Sequence, residues 1–211
     1  RGGGIHGYAL YLRGGVPHFA IRSTEKLTSV AGPVKVLGRW VHLAGVLTAD
    51  KELQLYIDGQ LAASAGTPQL ITADPAVAMQ IGADEGGAGP CQAPCPFEGV
   101  IDEVRIYRRA LSEEEIRGHA AATTAPATKE GLVLAYPFDR PDAIDSSGQK
   151  NDGTVEGVQV VEGKIGRALR FNGKGGAGGQ YRVQLAWTQD VPLLVRAMVL
   201  SGERLVVAGP P

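Results

Sequence analysis

Short stretches of alternating apolar and polar residues, separated by glycine, proline and aspartate, run through most of this chain. That period of two is the pattern of strands with one buried face. The clearest instance lies in residues 52–61, where Leu53, Leu55 and Ile57 alternate with more polar neighbours and lead into Asp58-Gly59. Asp-Gly supplies the positive φ angles of a tight two-residue hairpin. Residues 8–12 and 18–22 flank Gly14-Gly15 and predict another hairpin. The run from Trp40 to Thr48 is apolar on both faces, which predicts a strand in the middle of a sandwich. Further strands are expected at 78–82, 97–107, 132–138, 155–161, 168–171, 181–187, 193–200 and 204–208.

One segment carries a helical signal. Ser112 is suited to an N-cap, Glu115 three residues on can return the reciprocal bond, and Leu111 can meet Ile116 across the start. Together these form a capping box with a hydrophobic staple, so a short helix is expected from Ser112 to about His119. Residues 122–129, rich in Ala and Thr, read as a linker. The chain thus divides into 1–121, the linker 122–129, a segment 130–173, and a tail 180–211 that reads as the start of a further β-repeat region.

Composition narrows the classes. With 21 basic against 22 acidic residues the chain lacks the broad positive field that draws in nucleic acid. No apolar run reaches the roughly 20 residues of a spanning helix, so neither nucleic-acid binding nor membrane insertion is expected. Hydrophobic residues make up 44% and charged residues 20%, which suits a folded core rather than disorder. The chain starts at Arg1 and reads as a piece of a longer protein, with any export signal upstream.

Several runs, taken in order, resemble the laminin G-like family of concanavalin A-like jelly rolls. They are 40–45 (WVHLAG), 55–59 (LYIDG), Ile81-Gly82, 97–107 (FEGVIDEVRIY) and 110–116 (ALSEEEI). Segments 131–133, 136–139 (YPFD), 145–148 (DSSG), 151–153 (NDG) and 163–171 (GKIGRALRF) resemble the opening of the same family's domain. That opening stands here after the part it should precede. Either each part belongs to a separate domain, or 130–172 folds back and supplies strands that 5–120 lacks. The resemblance implies an all-β, antiparallel β-sandwich of the jelly-roll type with one short helix, plus extra C-terminal strands. It also implies an extracellular, cell-surface or periplasmic location.

Candidate chemistry is sparse. Simple alternation puts Asp102 on a face with Val100, Val104 and Ile106, where a carboxylate needs partners. The resemblance implies calcium there, with Asp139 and Asp145 completing the site if their segment docks nearby. The alternative is that Asp102 accepts backbone N–H bonds and that Asp139 and Asp145 start turns. Cys91 and Cys95 can form a local disulfide, remain as thiols, or bind metal only with two further ligands. Tyr56 is a candidate for stacking on a sugar ring, Trp40 reads as core, and His42 as a hydrogen-bonded structural residue.

A paired-carboxylate glycosidase needs two acids serving one bond. Asp102 and Glu103 are adjacent and should face opposite ways, so an enzyme is not expected. The expected function is a non-catalytic carbohydrate- or protein-binding module with a glycan or extracellular protein as partner and calcium as a structural ion. The alternatives are an interaction domain of a large envelope protein and, more remotely, a glycoside hydrolase.

Overall fold

The computed structural model describes residues 7–23, 26–71, 79–83 and 96–173, together with the backbone of 182–185, 195–202 and 206–209. Its strands are β1 (Gly7–Arg13), β2 (Val16–Ser23), β3 (Lys26–Ala31), β4 (Trp40–Leu47), β5 (Glu52–Ile57), β6 (Gln60–Gly66), β7 (Gln80–Ile81) and β8 (Glu98–Tyr107). After the helix α1 (Glu113–Ala121) come β9 (Leu132–Tyr136), β10 (Gly153–Glu156), β11 (Gln159–Glu162), β12 (Arg167–Asn172), β13 (Arg182–Leu185), β14 (Val195–Gly202) and β15 (Val206–Gly209). They form two antiparallel sheets, ordered β10-β13-β7-β15-β1-β2-β3 and β11-β12-β8-β14-β4-β5-β6, with β9 also paired to β8.

The antiparallel β-sandwich expected from the sequence is the fold observed. Tyr8, Leu10, Phe19 and Ile21 from one sheet meet Leu43, Leu53, Leu55, Ile101 and Val104 from the other in a single buried cluster. Gly45 shows how closely the layers approach, since a Cβ there would lie 2.3 Å from Phe19 Cδ2. Both expected hairpins form, with Asp58 at φ 50° and Gly59 at φ 80°. The helix carries the full capping box: the Glu115 N–H donates to Ser112 Oγ at 3.2 Å and the Ser112 N–H donates to Glu115 Oε2 at 2.8 Å. Leu111, Ile116, Tyr56 and Tyr107 bury its underside on the outer face of the second sheet.

Connectivity differs more from the sequence reading. Residues 130–173 line one edge of β8, with Leu132–Tyr136 against Val104–Tyr107 and Leu169–Asn172 against Glu98–Ile101. Strands of the tail enter both sheets. β14 lies between β4 and β8, and β15 between β1 and β7. Without them the facing edges of β4, β8 and β1 would expose unpaired backbone groups. The single strand expected at 155–161 is two, because Gly157 at φ 66° turns the chain from one sheet into the other.

Phe171 fastens the late segment to the early one. It is 1% exposed, sits 6.0 Å from Phe97 by ring centroids, and occupies the space a side chain at Gly82 would need. A Phe171→Ala substitution should therefore cost about 3–5 kcal/mol and lower one cooperative transition. Denaturant melts followed separately by tryptophan fluorescence and far-ultraviolet dichroism check this, and a transition that splits in two would contradict it.

Candidate functional site

β8 carries an irregularity on which the site depends. Opposite it, β14 pairs Val199 with Asp102 but Ala197 with Arg105, so two residues on β8, Glu103 and Val104, face one on β14. Glu103 takes the left-handed conformation, φ 50°, and the extra residue is a β-bulge. The bulge shifts the alternation by one. Ile101, Val104 and Ile106 fill the core, so Asp102 is not in register with Val104 and Ile106 as simple alternation had it.

Asp102 is nevertheless fully buried. Its Oδ2 accepts the amides of Lys164 and Ile165 at 2.8 and 2.9 Å, which grips the turn between β11 and β12. Its Oδ1 has no partner. Burial raises its pKa to about 6 against the pull of the Ile165 amide, and the neighbouring Glu103 charge adds to the rise.

Asp139 holds the far side of the same turn, its Oδ1 accepting the Arg167 amide at 2.9 Å. Asp145 ties a different loop together. It takes amide hydrogens from Ala135, Ser147 and Asn151 and the Ser147 hydroxyl. Asp102 Oδ2, Asp139 Oδ1 and both oxygens of Asp145 thus hold loop amides, while Asp102 Oδ1 stays unpartnered. Among the described residues no three His, Cys, Asp or Glu side chains gather as a metal site. Asp102 and Asp139 grip the same β11–β12 turn, and Asp145 holds its own loop. Cys91 and Cys95 lie outside the described residues.

On the outer face of the second sheet a cleft of about 260 Å³ opens between the start of β4, the end of α1 and the β11–β12 turn. Trp40, His42, Asp58, Glu103, His119 and Lys164 line it. Two of its acids are already engaged. Glu103 accepts Arg105 Nη2 at 2.8 Å in a nearly buried ion pair, and Asp58 Oδ2 accepts Arg39 Nη1 at 2.7 Å at the surface.

His42 and His119 meet edge to face at 6.4 Å between centroids. His119 Nε2 lies 3.4 Å from the Tyr107 hydroxyl, which donates to the Thr128 carbonyl at 3.1 Å. With its hydrogen committed there, Tyr107 accepts from an Nε2–H tautomer of His119. His42 Nδ1 is buried and unpartnered. Burial first, then the neighbouring His119, pulls His42 down to about 4 despite Asp58. Burial and the Arg105 guanidinium do the same to His119, against Glu115.

Tyr56, the aromatic residue favoured in sequence, is 3% exposed and sealed beneath α1, with its hydroxyl donating to Gln54 Oε1. Trp40, which read as core, is half-buried and lines the cleft. The helix decides between them, because it covers the middle of the outer face and stops short of the start of β4. His42, His119 and Lys164 were missed as site residues. Their one signal was His42 as the polar residue of an otherwise apolar strand.

A model of the concanavalin A-like lectin/glucanases superfamily matches residues 1–117. The chain belongs to that superfamily. No curated protein and no solved structure matches this superfamily member in the corresponding searches. No described helix is long and apolar enough to cross a membrane.

The site makes stability pH-dependent. Each histidine has a folded pKa below its free value of 6.5, so its contribution is present above that value and lost as pH falls toward 4. The loss is on the order of 3 kcal/mol each. Asp102, raised from 3.8 to about 6, acts oppositely and regains stability over part of the same window. Two losses exceed one gain, so the melting temperature should fall between pH 6.5 and 4. His42→Gln should flatten that fall, and Asp102→Asn should steepen it; calorimetry across the window checks both.

Proposed function

We propose that this chain is a non-catalytic recognition module of an exported protein, and that it takes a neutral, hydroxyl-rich ligand of the glycan class into the cleft beside Trp40. The supporting observation is the buried, unpartnered Nδ1 of His42 in that cleft. A buried polar atom left unmatched costs about 1–3 kcal/mol, and a ligand group that matches it recovers this. A neutral imidazole nitrogen can accept from or donate to a hydroxyl, the exposed Lys164 ammonium donates at the rim, and the Trp40 ring offers a stacking face.

Catalysis has less to support it. Glu103 is tied to Arg105 and Asp102 Oδ2 grips the β11–β12 turn, which is unlike a glycosidase pair of acids flanking one bond. The engaged carboxylates also argue for a neutral rather than a cationic ligand.

Titration of the labelled protein with a panel of neutral oligosaccharides should shift amide resonances of His42, His119 and Lys164. Trp40→Ala and His42→Ala should each weaken binding roughly tenfold. Trp40→Ala is the cleaner variant because its side chain is only half-buried. A panel that leaves those resonances unmoved overturns the reading, and turnover of any member would replace it with an enzyme.

A further inference from the structure

Residues 7–121 and the described parts of 130–209 are interlocked by backbone pairing and by a shared core. β14 pairs with β4 and β8, β15 with β1 and β7, and β12 with β8. The early part on its own therefore holds a slot in each sheet that only later residues fill. These pairings are also far apart in sequence, with Val195 on Val46 as one example. Such contacts form slowly because a long loop must close first. Until they form, the edges of β1, β4 and β8 remain open to any matching strands.

The covalent link between the two parts is short and loosely held. Residues 123–127 lie outside any helix or strand and are largely exposed. Anchoring starts only at Thr128, through the Tyr107 hydroxyl, and continues at Glu130 and Gly131 through the Arg109 side chain and the Arg108 amide. Every contact between the parts is indifferent to whether they belong to one molecule. The choice rests on this hinge and on concentration.

We propose that residues 7–121 form a strand-acceptor site whose partner is the 130–209 segment of a second copy of this chain, so that two molecules exchange these segments reciprocally. The exchange closes with two-fold symmetry. It also makes the cleft composite, with Trp40, His42, Glu103 and His119 from one chain and Lys164 and Ile165 from the other.

The test uses two full-length chains, both Cys91→Ser and Cys95→Ser, one carrying Val100→Cys and the other Arg170→Cys. These positions are direct cross-strand partners on β8 and β12, within disulfide reach. Unfolded together at high concentration and refolded, they should give a disulfide-linked heterodimer with the melting temperature of the wild-type protein. Removing residues 124–126 should raise the dimer fraction at a fixed concentration at least about tenfold, and inserting a flexible stretch there should lower it. Should the shortened hinge prevent folding, the lengthened one still reports the direction. No disulfide between the two chains, together with monomers at every hinge length, overturns the proposal. Glycan binding by those monomers would leave the reading of the cleft intact.

Discussion

Buried backbone N–H and C=O groups must be paired, and β8 is where that constraint acts most strongly. It is ten residues long, lies inside its sheet, and takes β14 along one side and both β9 and β12 along the other. Among the described residues, none of the first 121 supplies those partners. The demand of one strand therefore draws together parts of the chain that resemble the end and the beginning of one domain, written in reverse order. The large aromatics follow the ladders. Phe97 meets Phe171, and Tyr136 sits beside Phe138 at 5.6 Å, with its hydroxyl donating to the Asn151 carbonyl.

Local signals were legible where local chemistry decides. Asp58-Gly59 made its turn, Ser112 and Glu115 made their box, and Leu53, Leu55 and Ile57 faced the core because nothing distant competes with those choices. β3 gave no clear signal, since Lys26–Ala31 is an edge strand with only Val30 buried. The placement of β14 and β15 was illegible for another reason. A strand-like run announces that it will pair and not with what, and the partners lie roughly 90 to 200 residues away in sequence. The bulge at Glu103 was likewise silent. An inserted residue in the left-handed conformation has no requirement for glycine here, and it reverses the face of every residue that follows.

That reversal explains where Asp102 sits. With strict alternation Glu103 and Arg105 still share a face, but Asp102 would be thrust among aliphatic side chains. With the bulge, its Oδ2 meets the amides of the β11–β12 turn. The exchange of roles between Tyr56 and Trp40 has a similar origin. The two aromatics are alike in composition terms and differ only in whether a nine-residue helix reaches over them.

The floor and the far wall of the cleft belong to opposite sides of the exposed connection at 123–127. They are held to each other by hydrogen-bonded ladders and by Phe171, and the peptide bonds between them carry none of that load. A peptidase that nicked the connection would leave a non-covalent heterodimer with the groups lining the cleft still in place. Covalent continuity of the polypeptide and integrity of the cleft are, in this architecture, separate properties.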